Sequence, residues 1–204
     1  MLQAQFEELI SPYTQSQSLK DQLWMEIDAA CGSSKRHYHN LSHLEQLMSQ
    51  LQPIREQIHD WPTLLFTLFY HDLVYRTHRK DNEEQSALMA EKRMHSLGVS
   101  FESIEKCKHQ IRCTQSHEPS DSDTNFFTDA DLSILGSSLE RYELYTQQIR
   151  KEYQLYPDLL YKPGRKKVLA HFLEMDRIYK TDYFYQKFED RCRQNLKWEL
   201  DSLS

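Results

Sequence analysis

Glycine and proline are scarce, at 4 and 6 residues of 204. A chain so poor in turn formers, and rich in Leu, Glu, Gln and Lys, argues against a β-sandwich or barrel and favours helix. No stretch approaches the roughly 18 continuous apolar residues that span a bilayer. The opening Met-Leu-Gln-Ala-Gln-Phe-Glu-Glu lacks a basic segment followed by an apolar one, so a soluble, cytoplasmic protein without a membrane partner is expected. The cysteines, Cys31, Cys107, Cys113 and Cys192, include no Cys-x-x-Cys pair. That spacing argues against a zinc ribbon or disulfide framework and leaves packed, reduced thiols. Basic charge is not in excess either: 25 Lys+Arg against 31 Asp+Glu give a net charge of −6. Long nucleic acid and anionic membranes are therefore disfavoured as partners, although local basic clusters remain. No internal repeat is present, and no segment alternates as a strand. The length suits one domain, residues 1–204.

What the chain does have is histidine, ten in all, and every one but His171 lies between residues 37 and 117. Two of the surrounding stretches are anomalous. Residues 64–75 form one of the most apolar runs in the sequence, yet His71 and Asp72 sit side by side near its end. A carboxylate among apolar neighbours costs several kcal/mol unless it is paired, hydrogen-bonded or bound to a cation. Residues 126–136 repeat the pattern, with Asp129 and Asp131 embedded among Phe126, Phe127, Leu132, Ile134 and Leu135. Add the segment Tyr38-His39-Asn40-Leu41-Ser42-His43, and the candidates for a shared site are His39, His43, His71, Asp72, Asp129 and Asp131. Mixed imidazole and carboxylate ligands suit one divalent cation among Mn, Mg, Fe, Ni, Co and Zn, with positions left open for water and a substrate oxygen.

Periodicity predicts an all-α chain. Helices are expected over Leu19–Cys31, from an Asn40 cap to Leu51, from Pro62 to about Tyr75, and from Asp81 or Asn82 to Leu97 with Gly98 beyond the end. Further helices follow over about Phe101–Thr114, Leu139–Tyr156, Lys166–Ile178 and Tyr183–Leu203. Residues 115–125 read as a Ser/Asp/Pro-rich loop and residues 162–165 as a turn. On the helix carrying the dyad, neighbours point about 100° apart, so His71 and Asp72 reach one ion only if it lies off the helix flank.

Several residues have two readings. Arg36, Arg76, Arg79 and Lys80 either face an anionic substrate across the site mouth, where a guanidinium offers phosphate a fork, or form a solvated loop. His117 is a phosphate contact, a second-metal ligand or plain surface. Asp131 is a ligand, or else it caps a helix starting at Leu132 and Asp129 takes its place. Glu83 and Glu84 are acidic first-turn residues favoured by the helix dipole. The aromatic run Tyr179, Tyr183, Phe184, Tyr185 and Phe188 reads as core or as the interface of a homo-oligomer.

The order His43, His71-Asp72, Asp131 on a helical chain resembles the HD-domain metal-dependent phosphohydrolases. It is most similar to a bacterial subgroup described as predicted HD-superfamily phosphohydrolases. Residues 36–43, Asp81-Asn82-Glu83-Glu84-Gln85-Ser86-Ala87 and Asp129-Ala130-Asp131-Leu132-Ser133-Ile134-Leu135-Gly136 carry the likeness, which covers about residues 20–200. The resemblance implies a single-domain helical bundle of the HD type, with His43, His71, Asp72 and Asp131 as ligands of one metal ion. It also implies hydrolysis of a nucleotide or other small phosphoester by metal-activated water. Cyclic-nucleotide phosphodiesterases, more distant relatives, share a Tyr-His-Asn-x-x-His segment whose first histidine is the general acid. That likeness gives His39 the role of proton donor, while Asp72 or Asp131 orients the water. Some relatives place a glutamate where this chain has Tyr75, which leaves Glu83 or Glu84 to supply an acid/base group. The alternatives are a non-catalytic, metal-stabilised module that binds a phosphorylated ligand, or a phosphodiesterase acting on a cyclic nucleotide or short RNA.

Overall fold

The structure is a computed structural model that describes residues 1–203. It is all-helical, with no strand among the described residues. Ten α-helices follow in order: α1 Leu2–Ile10, α2 Gln17–Cys31, α3 Leu41–Leu51, α4 Trp61–Tyr70, α5 Asn82–Ser96, α6 Phe101–Cys113, α7 Ser122–Asp131, α8 Leu139–Glu152, α9 Asp158–Glu174 and α10 Asp182–Ser202. Single 3-10 segments, Gln52–Gln57 and Leu132–Gly136, follow α3 and α7. No described helix is long and apolar enough to cross a membrane.

Side chains placed where the first turn leaves amides unpaired start these helices. Asn40 accepts from the Ser42 amide at 2.9 Å, Asp60 from Thr63 at 3.1 Å and Ser100 from Ser103 at 3.2 Å. Gly98, at φ +75°, closes the α5 end in the left-handed conformation that the missing Cβ makes cheap. The central element is α4, whose residues from Thr63 to Tyr70 are all buried, and around it pack α1, α3, α5, α6 and α7. The core begins earlier than residue 20, because Leu2, Phe6, Leu9 and Ile10 of α1 are buried in it. Tyr179, Phe184 and Phe188 are buried in the same core, and Tyr185 is exposed.

Several boundaries differ from the periodicity: α1 is not expected from it, α8 ends at Glu152 and not Tyr156, α9 ends at Glu174 and not Ile178, and in three further places tertiary contacts explain the difference. Helix α4 stops at Tyr70, five residues short of the expected end. The carbonyls of Asp72 and Leu73 each accept from the Arg36 guanidinium, at 2.6 and 2.9 Å, and the Val74 amide donates to the Ser86 hydroxyl at 3.0 Å. Tertiary partners thus satisfy backbone groups that a longer helix would have paired. Helix α7 starts inside the expected 115–125 loop. Asp121 accepts from the Thr124 amide, and the buried Asp123 accepts from the His59 and Asp60 amides and from Lys106. The acidic residues there are caps and anchors, which composition alone reads as loop. Residues 162–165 are not a turn but lie within α9, with Pro163 in its interior. Arg165 and Leu169, one helical turn apart, hold that stretch against the body, Arg165 through a two-point bond to Glu199 and Leu169 by full burial. Tertiary anchoring here outweighs the cost of an internal proline.

Candidate metal centre

Three chain segments meet at one point. His43 lies in the first turn of α3, fixed by the Asn40 cap, and is buried. His71 is the residue that closes α4; its Nδ1–H donates to the Leu68 carbonyl at 3.0 Å, so the neutral ring presents an Nε2 lone pair. Asp131 is the last residue of α7 and immediately precedes the 3-10 segment Leu132–Gly136, but its side chain makes no capping bond to that segment. The Nε2 atoms of His43 and His71 are 3.3 Å apart, and Asp131 Oδ1 is 3.2 Å from the first and 3.9 Å from the second. Asp72, just past the helix end, brings Oδ2 to 3.2 Å from His71 Nε2 and 3.8 Å from His43 Nε2. The tightest set is His43, His71 and Asp131.

These separations fit a bound cation. Donors held about 2.0–2.1 Å from one tetrahedral ion lie roughly 3.3 Å from each other. Two imidazole nitrogens with carboxylates beside both make a donor set for a divalent first-row metal, which would bind with the rings deprotonated. Electrostatics agree with this. Burial raises the Asp72 carboxyl, yet the His71, His39 and His43 rings outweigh it and hold it well below the usual range. Asp131 is likewise raised by burial, but is held down overall by its bond to His43 and by the charges of His71, His43 and His117. Burial disfavours a charged His71, and the two carboxylates overcome that and push it up to about 9. The pocket is tuned for positive charge at its centre.

Beside the cluster stands a second assembly. The His39 Nδ1–H donates to Glu152 Oε2 at 2.7 Å, and the Tyr38 and His39 amides donate to Glu152 Oε1 at 2.7 and 3.0 Å. The Tyr75 hydroxyl donates to Glu152 Oε2 at 2.9 Å, and its ring stacks on His39 with centroids 4.1 Å apart. Burial raises the Glu152 carboxyl, but the His39 bond and charge and the two amides prevail and hold it at about 2. Burial opposes charge on His39, and Asp72 together with Glu152 raises its pKa overall. With Nδ1 engaged on Glu152, His39 lines a cavity of about 600 Å³ that Asp131 and His117 also line. His117 has a left-handed backbone, φ 53°, and its Nε2 lies 3.9 Å from Asp131 Oδ2. Burial and the nearby Lys180 depress it to about 4, despite Asp131.

None of the expected substrate cations lines the cavity. Arg36 is spent on the Asp72 and Leu73 carbonyls, and Arg79 is clamped to Asp81 at 2.7 and 2.8 Å. Arg76 and Lys80 are exposed and do not line the cavity. Glu84 is exposed and bound at two points by Arg112, at 2.6 and 2.9 Å, away from the cluster. Its neighbour Glu83 is the nearer of the two: burial raises its pKa, and Asp72, Asp81 and Asp131 raise it further. Asp129 accepts from the Lys180 and Thr181 amides and from the Thr181 hydroxyl, so it anchors the start of α10. His109 is exposed and bonded to Ser120 at 2.8 Å.

Glu152 is the residue that the sequence reading missed. The buried positions of α8 are Tyr142, Tyr145, Ile149 and Glu152, spaced by three or four residues. A glutamate on the apolar stripe of an amphipathic helix is the signal that marks it. The chain matches no family model, no curated protein and no solved structure.

Proposed function

We propose that this chain is an HD-type metal-dependent phosphohydrolase that acts on a nucleotide or other small phosphoester. The observation that carries the reading is a convergence: a His/Asp cluster suited to a cation reaches, through its Asp131, the cavity that a carboxylate-oriented histidine, His39, also lines. His43, His71 and Asp131, with Asp72 alongside, would hold the ion. When bound, the metal supplies Lewis-acid stabilisation of phosphoryl charge and a lowered pKa for water.

The remaining chemistry belongs to the chain's own side chains. Asp72, partly open to solvent, accepts a hydrogen bond from the attacking water and sets its direction. His39 carries a proton on Nε2 and delivers it to the leaving oxygen as the P–O bond breaks. Glu152 stabilises the charged ring through Nδ1, much as a carboxylate does in a catalytic triad. Tyr75 fixes the plane of that ring and closes one side to water. At the position where some relatives carry a glutamate, this chain supplies Tyr75, which acts through Glu152 and His39.

Elemental analysis by ICP-MS of the purified protein should find about one divalent metal per chain, falling to near zero in the His71→Ala/Asp72→Ala double variant. A screen of phosphoesters with Mn, Mg, Ni and Co should then show metal-dependent release of product. In the His39→Ala variant, turnover should drop on the order of 100-fold with metal content unchanged. Full metal content in the double variant would remove the site assignment, and ligand binding without turnover in the native protein would remove the enzymatic one.

A further inference from the structure

We infer that the outer face of α9, with the loop that leads into it, docks on an anionic membrane surface. Apart from Met1, no apolar side chain among the described residues is more exposed than Leu155 and Leu159, at 81 and 85 %. Leu160 and Val168 follow at 62 and 44 %. Residues four apart stack on one side of a helix, so Leu160, Gly164 and Val168 form one row of α9, and Leu159, Pro163 and Lys167 the row beside it. All six are exposed. The opposite side faces the body, where Leu169 is the only buried residue of the helix and Arg165, one turn away, is bound to Glu199. A 17-residue helix with a single buried side chain leaves most of its apolar surface in water. That surface runs into the cavity rim, because Leu160, Gly164 and Val168 also line the cavity.

Charge selects the occupant. Residues 150–174 carry six Lys and Arg against three Asp and Glu, in a chain whose net charge is −6. Two of those acids are already matched: Asp158 accepts from Arg150 at 2.7 and 3.1 Å, and Glu152 is buried on His39. The third, Glu174, stands at the far end of the helix. Of the bases, Arg150 and Arg165 are paired with Asp158 and Glu199, whereas Lys151, Lys162, Lys166 and Lys167 form no ion pair among the described residues. Leucines that enter the acyl boundary beside lysines that meet the headgroups are the chemistry of a helix lying in a membrane interface. The negative charge of the rest of the chain acts weakly here, since at about 0.1 M salt a charge is felt over only about 10 Å. A second copy fits less well, because a symmetric contact through this face would set Lys167 against its own counterpart. No described helix is long and apolar enough to cross a bilayer, so the contact is a peripheral one.

The test is co-sedimentation of the full chain with vesicles of phosphatidylserine and phosphatidylcholine in equal parts, against vesicles of phosphatidylcholine alone. The anionic vesicles should bind the protein at least about tenfold more strongly. Raising the salt from about 0.1 to about 1 M, which shortens the screening length from about 10 to about 3 Å, should release it. Lys162→Gln/Lys166→Gln/Lys167→Gln should lower the partition coefficient on the order of 100-fold, since each lysine near such a surface contributes roughly fivefold. Leu155→Ser/Leu159→Ser, at two side chains that touch neither the core nor the cavity lining, should lower it at least about tenfold with the thermal midpoint unchanged. Failure to sediment with the anionic vesicles, equal binding to both vesicle types, or full binding by the lysine variant would each overturn the docking assignment. A lipid-free dimer in analytical ultracentrifugation that Leu155→Ser/Leu159→Ser turns into a monomer would overturn it too, and would give the face to a second copy of the chain.

Discussion

At the scale of the residue, Glu152 does most to turn a metal cluster into a site with direction. Its side chain has no solvent exposure, and it collects two backbone amides, the His39 ring and the Tyr75 hydroxyl. Its carboxyl lies near 2 in the folded chain, against 4.5 as the ordinary value. A depressed folded value means that this group stabilises the fold above about pH 4.5, and that the contribution disappears as the pH falls toward 2. The difference corresponds to about 3 kcal/mol. Urea unfolding of Glu152→Gln should accordingly show a lower midpoint at pH 7 and a flatter pH dependence between these limits; a slope equal to that of the native protein would contradict the assignment. Site residues differed in how readable they were. His71, Asp72 and Asp131 stand out because a charged group in an apolar run needs an explanation, whereas His43 is marked only by its place in the segment Tyr38-His39-Asn40-Leu41-Ser42-His43. Arg36, Arg79 and Glu84 were harder to place, because a long charged side chain has many nearby partners and sequence does not say which it takes: Arg36 bonds the Asp72 and Leu73 carbonyls, Arg79 pairs with Asp81 and Glu84 with Arg112.

At the scale of the element, what places Asp131 is the short 3-10 segment Leu132–Gly136 that follows it. Gly136 ends that segment flush against α10: a Cβ there would come within 2.5 Å of Phe188 Cβ and 2.8 Å of the Phe188 carbonyl oxygen. One of those atoms is helix backbone, which cannot swing aside. Gly136→Ala should destabilise the protein by about 2–3 kcal/mol, read as a fall in urea midpoint at constant m-value. A loss below about 0.5 kcal/mol would mean that α10 yields more readily than a packed helix does. The helices themselves were legible where apolar spacing and a cap coincide, as at Asn40 and Gly98. They were not where tertiary bonds decide. Arg36 ends α4 from a distance of more than thirty residues, and Glu199 carries α9 through Pro163 against the local signal.

At the scale of the whole molecule, α4 and two helices packed on it, α3 and α7, each bring a candidate ligand atom to one point, so an ion there would bind the folded chain and not the unfolded one. At about 100 times its dissociation constant it should add about 2.7 kcal/mol. For a chain of this size that raises Tm by roughly 5–10 °C, to be reversed by EDTA in a thermal scan. The His71→Ala/Asp72→Ala variant should show no such response, and an equal shift in that variant would place the ion elsewhere. The spacing of the ligands has a further consequence in the language of chain topology. His43 and His71 are 28 residues apart, and Asp131 lies more than twice as far again along the chain. An ion that joins them closes two nested loops, and each closure removes freedom that an open chain would regain on unfolding. Such a clip acts as a reversible staple on the unfolding rate. Its hold is set by the free metal concentration around the protein and not by any covalent bond.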